Sequence, residues 1–101
     1  MTKHDRYYQL MSDQNVDLLA RFDQIHHQFQ TQANPEVAAQ FHAVGRDVRD
    51  LVYSWERRLC AGMERGVHGQ YSQGVSQKFW DLVRRRYPLI DQVGLIIKKA
   101  G

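Results

Sequence analysis

Apolar residues recur at helical spacing through the middle of the chain. They follow one another at steps of four, three, four, three, four and four residues, which places them on one face of a long α-helix. This stripe consists of Val37, Phe41, Val44, Val48, Leu51, Trp55 and Leu59. Asn34 is a strong N-cap and Pro35 suits the first helical position, so the helix is predicted to begin at Pro35. Glycines at and after residue 62 predict its end between residues 62 and 66.

A second apolar stripe precedes this long helix. Its members are Met11, Leu18, Phe22, Ile25 and Phe29. The spacing predicts a helix over about residues 5–32, and it leaves open an interruption near Ser12 and Asp13. Only a short polar connection separates the two stripes. They are therefore predicted to pack as a long antiparallel helical hairpin.

Two shorter helices are predicted after the glycine-rich stretch. The first begins at residue 72 or 76 and ends at Arg86, because Pro88 disfavours helix at Tyr87. The second covers about residues 88–98, with Leu89, Ile90, Val93, Ile96 and Ile97 as its apolar side. The predicted fold class is all-α, a single helical domain over residues 1–101 with a long hairpin and two shorter C-terminal helices.

The length of the hairpin also predicts an assembly. Two short helices cover only part of a long hairpin, and monomers rarely expose contiguous apolar patches of large residues. The stretch expected to stay uncovered includes large side chains such as Phe22, Phe29, Phe41 or Trp55. A homodimer that completes the helical bundle is therefore expected.

Composition narrows the class of protein. The chain has 101 residues, 43% of them hydrophobic, and no run approaches the ~18–20 apolar residues of a membrane span. The residues before Tyr7 are polar and carry no signal-peptide pattern. One cysteine excludes an internal disulfide framework. A cytoplasmic protein without a membrane partner is expected.

Charge is distributed unevenly along the chain. Residues 1–54 carry five basic and seven acidic side chains, whereas residues 55–101 carry nine and four. The basic half contains a candidate polyanion-binding set, Lys78, Arg84, Arg85 and Arg86. Arginines bind phosphates and nearby aromatics stack on bases, so a nucleic-acid-binding regulator is one alternative function. The simpler interpretation places the aromatics in the core and the arginines on a solvated face.

The histidines and the cysteine were tested as chemical sites. A remote alternative is a ligand- or metal-sensing bundle around His26, His27, His42 and His68. Metal sites in helical bundles use repeated Glu-x-x-His motifs, and the chain has none; Asp23-x-x-His26 has the offset with a different acid. Cys60 with His68 is a conceivable nucleophile and base, although a small buried cysteine fits better. No catalytic residue, cofactor or metal is predicted.

The remaining candidate is a partner-binding surface at the glycine-rich end of the long helix. It combines Trp55 and Arg58 of that helix with His68 and Tyr71 of the following loop. Loops on a rigid scaffold are common binding elements. The sequence therefore predicts a small non-enzymatic interaction or regulatory protein, a scaffold or adaptor whose protein partner is unidentified.

Overall fold

The computed structural model describes the backbone of residues 1–61 and 69–95, and the side chains of these residues except 69–73. Within these residues the chain forms four α-helices and no strand, so the predicted all-α class is confirmed. The helices are α1 (Lys3–Gln14), α2 (Val16–Thr31), α3 (Pro35–Cys60) and α4 (Gly69–Arg86). A short 3-10 turn, Ile90–Gln92, follows α4.

The long helix α3 begins where the sequence predicts. The side-chain oxygen of Asn34 accepts a hydrogen bond from the Val37 N–H at 2.9 Å, and Pro35 occupies the first turn. α3 ends at Cys60, before the predicted range of 62–66. Its buried residues reproduce most of the apolar stripe, with Phe41, Val44, Val48, Trp55 and Leu59 all in the core.

The predicted first helix is two helices, separated at Asn15. The Asn15 side-chain amide donates a hydrogen bond to the Met11 carbonyl at 2.9 Å. The backbone carbonyl of Asn15 accepts a hydrogen bond from the Leu19 N–H at 3.1 Å. Asn15 thus terminates α1 and begins α2, slightly later than the interruption considered near Ser12 and Asp13. As a separate helix, α1 packs on both α3 and α4.

Side chains of the same chain cover the large residues that a second copy was expected to bury. Phe22 and Phe41 are fully buried and Trp55 is 5% exposed, all within one chain. The ring of Phe29, on α2, stacks on Phe41 at 4.1 Å between centroids. At the other end of α3, Tyr7 of α1 presents its ring to Trp55 at 6.1 Å. The reason given for a homodimer was therefore wrong, while the dimer and the antiparallel hairpin stay predictions.

The C-terminal part differs most from the prediction. α4 begins at Gly69, earlier than residue 72 or 76, and ends at Arg86 as predicted. The predicted α-helix over residues 88–98 is wrong for residues 88–95, which form turns around the 3-10 segment. Val93 is extended and Gly94 has φ +82°, a conformation outside the right-handed helix. Residues 96–98 lie outside the described residues.

Gly45 allows the segment after α4 to approach α3 closely. A Cβ at Gly45 would lie 2.6 Å from Val93 Cγ2 and 3.2 Å from Phe22 Cε1. Ile90 and Val93 are each 1% exposed, as predicted for the apolar side of this region. The absence of a side chain at Gly45 therefore positions the segment against the core.

Candidate partner-binding groove

An open groove of about 790 Å³ lies between the beginning of α1 and the last turns of α3. We call it the basic groove. Its lining residues are Met1, Thr2, Lys3, Arg6, Tyr7, Leu10, Trp55 and Arg58. Cationic, aromatic and aliphatic side chains thus line one surface.

The wall formed by α1 depends on where that helix begins. Thr2 Oγ1 accepts the Asp5 N–H at 3.2 Å, and the Asp5 carboxylate accepts the Thr2 N–H at 3.3 Å, which is a capping box. The helix therefore starts at Lys3. Residues at positions i, i+3, i+4 and i+7 from Lys3 then share one face, and they are Lys3, Arg6, Tyr7 and Leu10.

The wall formed by α3 consists of Trp55 and Arg58, one turn apart. The guanidinium carbon of Arg58 lies 4.8 Å from the Trp55 ring centroid, a cation–π distance. Tyr7 meets the same indole edge-on, with an interplanar angle of 87°. On the α1 side, Lys3 Nζ lies 5.6 Å from the Tyr7 centroid. Two touching aromatic rings therefore orient two cations at the groove.

The charge of the basic groove is of one sign. Among the described residues, its lining includes three cations, Lys3, Arg6 and Arg58, and no carboxylate. All three are exposed, and the ion pairs found among the described residues involve other side chains. An anionic group entering the groove would meet positive charge without breaking an ion pair among the described residues.

The structure brings together two of the four residues predicted as partner-binding. Trp55 and Arg58 both line the basic groove. His68 lies outside the described residues; Tyr71 falls within α4, but its side chain is outside them. Sequence reasoning missed the α1 wall. The motif Thr2-x-x-Asp5 was the available signal, because it predicts a helix that begins at Lys3.

Two arginines of the candidate polyanion-binding set, Arg84 and Arg86, form ion pairs within the chain. Arg84 Nε lies 3.0 Å from the Asp91 carboxylate, and Arg86 binds both carboxylate oxygens of Asp23 at 3.0 and 2.7 Å. Hydrogen bonds to these carboxylates raise the pKa of both arginines above the ordinary value. Arg85 and Lys78 are exposed on α4 and belong to none of the ion pairs in the described part. The three arginines therefore do not form one free cationic surface.

Two of the candidate metal-ligating histidines hold backbone groups instead. His26 Nε2 accepts the Leu89 N–H at 3.1 Å, and His42 Nδ1 accepts the Gly94 N–H at 3.0 Å. His27 is exposed. No group of three or more histidine, cysteine or acidic side chains suited to a metal ion occurs among the described residues. Cys60 is buried, and its suggested base His68 lies outside these residues.

Comparisons with protein-family models, curated proteins and solved structures found no match to this chain. Within the described part of the chain, no helix has the length and apolar character required to cross a membrane.

Proposed function

We propose that this chain is a small non-enzymatic interaction protein that binds an acidic segment of a partner protein in the basic groove. One observation carries the proposal. Three exposed cations surround the edge-to-face pair of Tyr7 and Trp55 in an open groove, and no carboxylate is among the described residues that line it.

The chemistry of the groove fits carboxylate side chains of a peptide. Arginine binds carboxylates through charge-assisted and often bidentate hydrogen bonds. Arg58 is held over Trp55, so less side-chain freedom is lost when it binds. Leu10 is 37% exposed beside these cations and offers an apolar contact. Tyrosine and arginine, here Tyr7 and Arg58, are also among the residue types enriched where binding energy concentrates at protein interfaces.

Two features favour a protein partner over nucleic acid. Base stacking needs an accessible aromatic face, and Trp55 is only 5% exposed. Arg84 and Arg86 are already paired with carboxylates, so binding a phosphate requires those pairs to break. The nucleic-acid alternative then depends on Arg85 and Lys78, which are single exposed cations on α4.

The proposal is tested with three labelled probes in fluorescence anisotropy. The first is a peptide of glutamate, leucine and serine, the second is the same peptide with glutamine in place of glutamate, and the third is single-stranded oligo-dT. The glutamate peptide is expected to bind more tightly than either of the others. Affinity should fall as salt is added, because the contacts are ionic.

Two variants that each remove one positive charge distinguish binding in the groove from attraction to the positively charged surface in general. Arg58→Gln and Arg85→Gln each remove one exposed arginine, but only Arg58 lies in the groove. Arg58→Gln is expected to weaken binding of the glutamate peptide about tenfold, the effect of losing one charge-assisted hydrogen bond. Arg85→Gln should leave it unchanged. Equal losses in both variants, or tighter binding of oligo-dT, would contradict the proposal.

The predicted hairpin and homodimer are separate proposals. The stacked rings of Phe29 and Phe41 support a hairpin of α2 and α3. The homodimer has less support, since Phe22, Phe41 and Trp55 are buried within one chain. Sedimentation equilibrium at micromolar concentration decides it, because a single species at the chain mass of 11.9 kDa excludes the dimer.

A further inference from the structure

The segment after α4 is tied to α2 and α3 by side chains that bind its backbone. We call residues 89–94 the C-terminal strap. His26 of α2 accepts the N–H at its first residue, Leu89, and His42 of α3 accepts the N–H at its last, Gly94. Between them, Arg49 Nη1 donates a hydrogen bond to the Val93 carbonyl at 2.9 Å. A histidine therefore holds each end of the strap.

The ion pair of Arg84 on α4 with Asp91, together with apolar packing, supplies further contacts of the strap. Ile90 and Val93 are each 1% exposed, and Val93 rests on the bare backbone of Gly45. The strap contributes only these two fully buried side chains. It has one turn of 3-10 helix and no α-helical hydrogen-bond ladder of its own, so few bonds must break for it to leave.

Both histidine contacts require a neutral imidazole. A neutral ring has one acceptor nitrogen, whereas both nitrogens of the protonated ring are donors. Protonation at His26 Nε2 would set an N–H against the Leu89 N–H, and protonation at His42 Nδ1 would do the same at Gly94. Each proton taken up thus replaces a hydrogen bond with a repulsive contact.

The elements that pack around His26 are α2, α3 and the segment after α4, and each contributes groups that affect its protonation. Burial lowers the pKa of His26, the nearby Asp23 carboxylate opposes that shift, and His27 adds to it. Asp23 is itself bound by Arg86. The rings of Phe41 on α3 and of Tyr87 after α4 lie 6.1 and 5.6 Å from the His26 ring, and burial raises the pKa of Tyr87, which keeps that hydroxyl neutral. Burial therefore favours the neutral form that the strap needs.

The surroundings of His42 are aromatic and cationic. Phe29 of α2 and Phe41 of α3 present their rings to it at 6.3 and 5.4 Å. Arg49 is bound to the Val93 carbonyl, directly before the Gly94 N–H that His42 accepts. Arg46 lies one helical turn after His42 on α3. No carboxylate belongs to this set of neighbours in the described part of the chain.

We propose that mild acidification releases the C-terminal strap from α2 and α3 through protonation of His26 and His42, while the helical core stays folded. Release exposes the apolar surface of α3 around Gly45, on which Val93 packs. The strap thereby gives this fold a pH-dependent surface at a site distinct from the basic groove.

Amide hydrogen exchange followed by NMR tests this proposal on the full chain. Protection factors, corrected for the intrinsic exchange rate, are compared at about pH 7.5 and about pH 5.5, on either side of the ordinary histidine pKa. The Leu89 and Gly94 amides are expected to lose about tenfold or more in protection, because a pH one unit below the ordinary histidine pKa favours a proton-binding state by about that factor. The Val48 and Val52 amides in the middle of α3 should change far less.

Substitutions that keep an acceptor but do not titrate provide the control. The amide of His26→Gln can reach the position of Nε2, and that of His42→Asn the position of Nδ1. The double variant should retain its protection at the lower pH, whereas His4→Gln, which alters a histidine that contacts Thr2 and Asp5 at the start of α1, should behave like the original chain. Unchanged Leu89 and Gly94 protection in the original chain overturns the proposal. Equal loss at Val48 and Val52 does so too, because it means global unfolding.

Discussion

The carboxylate of Glu56 on α3 accepts a hydrogen bond from the Trp80 indole N–H of α4 at 2.7 Å. The Ser76 hydroxyl donates to the same oxygen. All three side chains are half-buried, so one acidic oxygen joins two helices at a site partly removed from water. This contact places α4 on the face of α3 from which Glu56 projects.

We expect Glu56→Ala to lower the free energy of unfolding by about 1–3 kcal/mol, because it leaves the indole N–H and the hydroxyl without their acceptor. Glu56→Gln retains a side-chain oxygen and should cost less than half as much. Urea denaturation measures both. Equal costs for the two variants would show that the hydrogen bonds do not stabilise the α3–α4 contact.

Two glycine substitutions should have opposite effects on stability. Alanine at Gly45 places its Cβ against Val93, and overpacking of this kind typically costs about 1–3 kcal/mol. Gly74 lies in α4 with nothing within 4 Å of a Cβ, so Gly74→Ala should stabilise the helix by about 0.5–1 kcal/mol. Combining Gly45→Ala with Val93→Ala should cost less than the sum of the two single changes. Thermal or urea unfolding of the set decides the sign of each effect.

Stability should fall as the pH drops below about 6.5, the ordinary pKa of histidine. Burial lowers the pKa of His26 while the strap is bound, so the unfolded chain takes up a proton that the fully folded chain does not. The stabilisation is complete above the unfolded-state pKa and is lost as the pH falls toward the folded-state value. Burial raises the pKa of Asp23, but the hydrogen bonds from Arg86 outweigh it and leave this pKa lowered, so the contribution of Asp23 is lost only at more acidic pH. The urea midpoint should therefore change less with pH in His26→Gln than in the original chain between about pH 7.5 and about pH 5.5.

The ion pair of Asp23 and Arg86 should contribute little to stability despite its bidentate geometry. The two side chains are 45% and 32% exposed, and exposed pairs typically contribute about 0.2–1 kcal/mol. A double-mutant cycle with Asp23→Asn and Arg86→Gln should give a coupling energy in that range. The coupling should decrease in high salt. A coupling well above this range would indicate that the pair is shielded from solvent.

The sequence predicted the elements whose signals are local. Asn34 and Pro35 mark the start of α3, and Pro88 marks the end of α4 at Arg86, because capping and proline geometry act within a few residues. The apolar stripe of α3 is confirmed for the same reason, since helical spacing places its members on one buried face. The capping box of Thr2 and Asp5 was equally local, and it was overlooked.

Local signals therefore predict an all-helical chain and the start of its longest helix. Which surfaces the helices cover depends on their tertiary packing. The break at Asn15 separates α1, which packs on α3 and α4, whereas Phe22 and Phe41 are buried against each other and beside Tyr87. His26 and His42 bind backbone groups 63 and 52 residues away, and Lys3 joins the same groove as Arg58. Such contacts depend on how distant segments pack. Helical periodicity and capping motifs are local, so they do not predict which distant residue a side chain will contact.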